Sequence, residues 1–174
     1  TRITEIDQLT DYLSAGAKPM SQWRIGTEHE KFGWWIDAQR PPDYDGPRGI
    51  RAVLDGFAAL EHWTPTYEGD ALLALTSNGA SITLEPSGQL ELSGRPLRSL
   101  LDTAAEFDDH ISELSKISQP LSLAWSGLGF TPWGRPDDMP RMPKPRYSVL
   151  EKRLRKAGQY GIHMMRQTAT VQAN

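Results

Sequence analysis

The spacing of apolar residues along the chain predicts helices and strands in alternation. Apolar side chains recur every three or four residues in several segments, as on the buried face of an amphipathic helix. Pro120 follows the clearest of these segments, and Gly158 follows the last one, as is common where helices end. The predicted helices cover residues 4–15, 50–60, 97–117 and 147–156.

A β-hairpin is predicted in the middle of the chain. Residues 72–76 and 80–85 have strand character and flank Ser77-Asn78-Gly79, in which Asn-Gly supplies the positive φ angles of a tight turn. The prolines of residues 131–145 predict an irregular loop. Further strands are predicted over residues 23–34, 89–92, 121–130 and 164–174. Hairpin-linked strands with helices between them indicate an α+β fold, a mainly antiparallel sheet with flanking helices.

Composition narrows the class of protein. The 174 residues suit a single domain, and a net charge of −3 offers no basic field for nucleic acid. The mean hydropathy is −0.52, and no apolar run approaches the ~20 residues of a membrane span. Absence of cysteine excludes thiolate nucleophiles and Cys-based zinc sites. No basic-then-apolar signal stretch opens the sequence, and we expect a soluble, cytoplasmic protein without nucleic-acid or membrane partners.

Two clusters of acidic residues are candidates for a metal-binding site. Glu28 and Glu30 lie two residues apart on a predicted strand, so both project from one face, where they suit a hard divalent cation. Glu85, Gln89 and Glu91 are all odd-numbered, so they would project from one face of a continuous strand. The turn at residues 86–88 can, however, reset the register. The alternative is that these residues form a solvated polar face. Glu28 and Glu30, taken by themselves, favour this alternative. The clusters form one site only if their strands are close in the sheet.

The last segment carries an arginine among small residues. If residues 164–174 form a strand, Arg166, Thr168 and Thr170 share one face, which resembles the floor of an anion pocket. An ordinary half-exposed strand explains the pattern equally well. The histidines lack metal-motif spacing: His29 is interpreted as a packed residue and His110 as a surface residue of a helix.

Four motifs follow one another along the chain, at residues 25–33 (IGTEHEKFG), 75–94 (LTSNGASITLEPSGQLELSG), 142–147 (MPKPRY) and 164–174 (MMRQTATVQAN). Together they resemble the plant-type and proteobacterial glutamate–cysteine ligases. The resemblance extends over nearly the whole chain, and the order of the motifs makes it strong.

The resemblance implies an ATP-dependent ligase with a fold similar to that of glutamine synthetase. In that family, glutamate is activated as γ-glutamyl phosphate and joined to cysteine in the first step of glutathione biosynthesis, with Mg²⁺ as cofactor. The implied metal ligands are Glu28, Glu30, Glu85 and Glu91. The implied substrate-binding residues are Arg166, which also has a catalytic role, Thr168, Thr170, Arg146 and Gln89.

The length is short for this family, so residues 1–174 are interpreted as the N-terminal part of one catalytic domain. The implied small-molecule partners are glutamate, cysteine and ATP, together with the C-terminal part of the same enzyme. Two alternatives stay open. The first is a related ligase that uses another amine, and the second is a non-catalytic fragment that binds metal or glutamate.

Overall fold

The structure, a computed structural model, describes residues 2–174 as a mixed α+β fold. This confirms the predicted fold class. The α-helices are α1 (Ile6–Ser14), α2 (Ile50–Ala58), α3 (Leu100–Ser118), α4 (Pro145–Ala157) and α5 (Gly161–Gln167). The strands are β1 (Thr27–Trp35), β2 (Thr64–Glu68), β3 (Ala71–Ser77), β4 (Ala80–Leu84), β5 (Leu90–Ser93), β6 (Leu123–Ser126) and β7 (Val171–Ala173).

Strand β1 organises an antiparallel sheet. The strand order is β2-β3-β4-β5-β1-β6, and β7 also pairs with β1. Residues 27–29 of β1 pair with β7, residues 28–31 with β5, and residues 32–35 with β6. Three segments distant in sequence are thereby joined to one strand.

One face of the sheet is apolar and forms the core. Leu75, Ile82, Leu92 and His29 stand side by side on β3, β4, β5 and β1. The buried face of α2 packs on β3 and α3, and α3 also contributes Leu114 to the core. Because side chains alternate across a strand, the other face of the same strands is left for polar groups.

The predicted hairpin is confirmed. Strands β3 and β4 are joined at Asn78-Gly79, whose φ angles are 45° and 88°. Glycine adopts such angles without steric cost, and asparagine tolerates them better than most residues. This turn sets the register that brings Thr83 beside Ala74.

Several predicted elements differ from the structure. Residues 164–167 belong to α5 instead of a strand, and only residues 171–173 are extended as β7. The strand predicted over residues 121–130 is shorter in the structure, where only β6 is extended. Strand β2 was not predicted, because its residues do not alternate between apolar and polar. Within residues 2–174, none of the helices is both long and apolar enough to cross a membrane.

The prediction that His110 lies at the surface is wrong. Its side chain is only 3% exposed and stacks on Phe57, with the ring centroids 5.8 Å apart. Neither ring nitrogen has a hydrogen-bond partner among the described residues. The helix places His110 toward α2 and the sheet, a direction that its position in the sequence alone did not reveal.

Burial of His110 makes stability depend on pH. Desolvation, with smaller contributions from the charges of Lys31 and His29, lowers the pKa of His110 to about 3, whereas the ordinary value is 6.5. An unfolded chain therefore takes up the proton first, so the stabilising contribution of neutral His110 is lost as pH falls from about 6.5 toward 3. We expect a loss of about 2 kcal/mol between about pH 7.5 and pH 5 from this residue.

The measurement is urea unfolding of wild type and His110→Leu at both pH values. The leucine variant should lose about 2 kcal/mol less stability between them, since no proton can bind at position 110. Equal losses in the two proteins would contradict this prediction.

Candidate functional site

The polar face of the sheet carries a row of oxygen-bearing side chains. Glu30 on β1 stands directly opposite Glu91 on β5, and Glu91 stands opposite Thr83 on β4. Side chains on directly opposed residues have Cβ atoms about 4.5–5.5 Å apart. The sheet therefore unites the two acidic clusters that the sequence separates by about sixty residues.

The carboxylates of β1 are held by the segment that ends in β7. Glu28 accepts hydrogen bonds from the side-chain amides of Gln172 (2.8 Å) and Asn174 (2.9 Å). Glu30 accepts from the backbone N–H and the hydroxyl of Thr170, both at 3.0 Å. All of these donors are neutral, so they orient the two carboxylates without cancelling their charge.

Glu91 and Glu85 lie beside these two residues. We call Glu28, Glu30, Glu85 and Glu91 together the acidic group. Glu91 accepts hydrogen bonds from the hydroxyls of Ser93 (2.8 Å) and Thr83 (3.1 Å). Glu85 lies between β4 and β5 and is partly buried near Glu91 and Glu30. Desolvation and the repulsion of these two carboxylates raise its pKa to about 7, although Lys144 and Arg146 act in the opposite direction. The carboxylates of the acidic group thus lie close enough to repel one another.

The acidic group has the chemistry of a site for a hard cation. Among residues 2–174, none of its four carboxylates forms a salt bridge with a lysine, arginine or histidine. No three acidic or histidine side chains in this part of the chain converge as a ready-made metal cage. Mg²⁺ is commonly held by one or two carboxylates, with water and phosphate oxygens as its other ligands. The donors present fit that mode of binding.

A cavity of about 420 Å³ opens beside two of these carboxylates, and we call it the acidic cavity. Its lining includes Glu30 and Glu85 from the sheet, Leu150 and Leu154 from α4, and Thr170. Its size is within the usual range for small-molecule pockets. The apolar side of α4 therefore faces carboxylates across a space that can admit a small ligand.

Three predicted substrate-binding residues line the acidic cavity, and the structure shows what each one contacts. Gln89 is buried, accepts a hydrogen bond from the Ser87 N–H, and donates to the Thr168 carbonyl, both at 2.9 Å. The Thr168 hydroxyl donates to the Met164 carbonyl, while Thr170 holds Glu30. Gln89 therefore joins the turn before β5 to the segment before β7.

Arg166 does not share a face with Thr168 and Thr170, as the strand prediction required. It lies on α5, is 2% exposed, and donates to the carboxylate of Glu151 (2.6 Å) and the carbonyl of Pro136 (3.0 Å). The helical backbone turns its side chain away from the acidic cavity, whose lining does not include it. Its catalytic role stays a prediction.

Other basic residues surround the start of α4. Lys144 donates to the Leu84 carbonyl at 2.7 Å, and the hydroxyl of buried Tyr147 donates to the same oxygen. Arg146, a predicted anion contact, is exposed and donates to the Tyr147 hydroxyl at 3.3 Å. Sequence reasoning missed Lys144, although it lies in the same motif as Arg146.

Comparison with known proteins assigns the family. The sequence profile of glutamate–cysteine ligase family 2 (GCS2) matches residues 24–174, which include every carboxylate of the acidic group. The chain belongs to glutamate–cysteine ligase family 2. The resemblance inferred from the sequence motifs is therefore confirmed.

Curated relatives of this family member include plant enzymes. Chloroplastic glutamate–cysteine ligases from Medicago truncatula, Brassica juncea and Arabidopsis thaliana are 42%, 40% and 40% identical to it, respectively. These matches cover 95% to 97% of this chain but 32% of each relative. The chain thus spans about a third of the length of the relatives it matches.

The names of these relatives also correct one expectation. They are chloroplastic proteins, which points to a plastid, so the cytoplasmic location predicted from the sequence is wrong. Composition and the absence of an opening signal stretch carried no information on this point.

The pairing of Glu151 with Arg166 should contribute strongly to the stability of the family member's fold. Replacing Glu151 by Gln leaves the buried guanidinium of Arg166 without its counter-ion and also removes the contacts of Glu151 with Arg141 and Arg155. We expect a loss of about 3 kcal/mol, most of it from the buried pair. Asp137→Asn is the matched control, because Asp137 contacts Arg155 at 2.7 Å but is largely exposed. That exposed pair should contribute less than about 1 kcal/mol. Urea unfolding measures both, and similar losses would contradict the assignment.

Proposed function

We propose that this chain supplies the acidic face of an ATP-dependent glutamate–cysteine ligase. The observation that carries the proposal is the meeting of Glu28, Glu30, Glu85 and Glu91 on one face of a sheet in a chain of this family. The names of the relatives, which are glutamate–cysteine ligases, support the choice of substrates.

In the proposed reaction, the γ-carboxylate of glutamate attacks the γ-phosphorus of ATP, and the bond to ADP breaks. The cysteine amine then attacks the acyl carbon of γ-glutamyl phosphate, loses a proton, and displaces phosphate. Both steps depend on positioning and charge stabilisation, so no protein nucleophile is required. This agrees with a site composed of carboxylates, amides and hydroxyls.

The four carboxylates are the proposed Mg²⁺ ligands, directly or through water. Bound Mg²⁺ would neutralise phosphate oxygens, so that one anion can approach another. Thr170 orients Glu30 with two hydrogen bonds, and Gln172 with Asn174 orients Glu28. These neutral donors hold the oxygens in place while leaving the negative charge for the cation.

The roles of the remaining predicted residues follow from their contacts. Arg146, exposed at the start of α4, is the proposed contact for a substrate anion. Thr168 and Gln89 shape the wall of the acidic cavity through their hydrogen bonds to backbone groups. Arg166, which is tied to Glu151, would act on substrate only if that ion pair opened.

Activity is tested with the polypeptide encoded by the complete reading frame. With glutamate, cysteine, ATP and Mg²⁺, it should release phosphate only when cysteine is present. Glu91→Gln should lower turnover by about 100-fold, since charge stabilisation at the phosphate weakens. Glu61→Gln, an exposed carboxylate outside the site, is the matched control and should keep the wild-type rate.

Two results would overturn the ligase proposal. One is phosphate release that does not depend on cysteine or on any other amine in a panel. The other is a wild-type rate for Glu91→Gln across all Mg²⁺ concentrations. Release with a different amine would indicate a related ligase instead.

Cation binding is tested separately, on the chain of residues 1–174 and without nucleotide. Saturating Mg²⁺ should raise the thermal midpoint of wild type by about 3–5 °C, as expected for a ligand at about tenfold its dissociation constant. Glu30→Gln should lose most of this rise, and Glu61→Gln should retain it. An identical rise in all three proteins would show that the stabilisation does not come from the acidic group.

A further inference from the structure

The carbonyl of Leu84, the residue before Glu85, accepts hydrogen bonds from two side chains. The donors are the ammonium of Lys144 at 2.7 Å and the hydroxyl of Tyr147. The ladder between β3 and β4 ends one residue earlier, at Thr83. These two side chains therefore bind the end of β4 at the point where the pairing with its neighbouring strand has stopped.

The peptide group that follows Glu85 is held as well. The Pro86 carbonyl accepts a hydrogen bond from the backbone N–H of Met142 at 3.1 Å. Glu85 itself closes the turn into β5, because its N–H donates to the Gln89 carbonyl and its carbonyl accepts from the Gly88 N–H, both at 2.9 Å. The backbone is therefore fixed on both sides of Glu85.

The carboxylate of Glu85 differs from the rest of the acidic group in how it is held. The carboxylates of Glu28, Glu30 and Glu91 each accept hydrogen bonds from amide or hydroxyl groups. Within residues 2–174, no hydrogen-bond donor contacts the carboxylate of Glu85. The position of this carboxylate thus depends on the backbone that carries it.

Tyr147 is well placed to fix this backbone. It is 7% exposed and packs in the apolar core, and its hydroxyl also accepts a hydrogen bond from Arg146 at 3.3 Å. A tyrosine ring has only two torsions to order, whereas lysine is a flexible four-carbon chain. The Tyr147 hydroxyl therefore restrains the Leu84 carbonyl more firmly than the partly buried Lys144 does.

We propose that Tyr147 is a positioning residue for Glu85. By holding the Leu84 carbonyl, it fixes the start of the turn and directs the Glu85 carboxylate into the acidic cavity, which Glu30 also lines. The use of this placement in cation binding rests on the proposed ligase function. The placement itself rests on the hydrogen bonds around residues 84–89.

The test variant is Tyr147→Phe, which removes only the hydroxyl. The matched control is Tyr44→Phe, because Tyr44 is 8% exposed and its hydroxyl donates to the Leu72 carbonyl at 2.9 Å. Tyr44 does not line the acidic cavity. Each variant loses one buried hydrogen bond to a strand carbonyl, so urea unfolding should show similar losses of stability in the two.

The first measurement is amide hydrogen exchange in the polypeptide encoded by the complete reading frame, without metal or substrates. Peptides that cover residues 84–89 should exchange about fivefold faster in Tyr147→Phe than in wild type, as expected for the loss of one hydrogen bond. Tyr44→Phe should keep the wild-type rate in these peptides. Unchanged exchange in Tyr147→Phe, or equal acceleration in Tyr44→Phe, would overturn the positioning role.

The second measurement counts bound Mn²⁺ by electron paramagnetic resonance in the same polypeptide. Mn²⁺ is the probe because it accepts the same oxygen ligands as Mg²⁺. Tyr147→Phe should weaken Mn²⁺ binding by about fivefold, Glu85→Gln should weaken it at least as much, and Tyr44→Phe should not change it.

The two measurements separate this proposal from that of the ligase. If wild type binds no Mn²⁺ but residues 84–89 lose protection in Tyr147→Phe, the cation-binding function is overturned and the positioning role is supported. If Mn²⁺ binding weakens in Glu85→Gln but not in Tyr147→Phe, the cation site is supported and the contribution of Tyr147 to it is overturned.

Discussion

The antiparallel register between β1 and β5 is the constraint on which the candidate site depends. It places Glu30 opposite Glu91 and Glu28 opposite Ser93, while His29 and Lys31 stand opposite Leu92 and Leu90. A shift of one residue would send the carboxylates into the core and the leucines into solvent. Burial of the leucines therefore maintains the acidic face, and repulsion between the carboxylates is tolerated because the apolar face holds the strands in place.

Helix α4 adds a second constraint, because it separates two regions of opposite charge. Leu150 and Leu154 face the acidic cavity, whereas Glu151, Lys152 and Arg155 line a second cavity of about 620 Å³, which is rich in cationic side chains. The cavities meet at Pro86 and Met165, next to the turn that carries Glu85.

Much of this arrangement could be predicted from local pattern. The alternation of side chains along β1 correctly predicted that Glu28 and Glu30 share one face, and Asn78-Gly79 correctly predicted the hairpin. Prediction failed at residues 164–167, where alternation of polar and apolar side chains suggested a strand but α5 formed. Seven residues are too few for helical periodicity to be distinguished from alternation, and here tertiary contacts such as Arg166 with Glu151 stabilise the helix.

The sequence by itself determined the α+β class, the hairpin, the shared face of Glu28 and Glu30, and the family. Those features depend on residues close together in the chain or on ordered motifs. The tertiary structure alone decided that Glu30 lies opposite Glu91, that Arg166 lines a cavity other than the acidic cavity, and that His110 is buried. These depend on which distant segments pair with β1 and on which side of each helix meets the sheet. Such contacts arise from packing of the whole chain, and no local spacing encodes them.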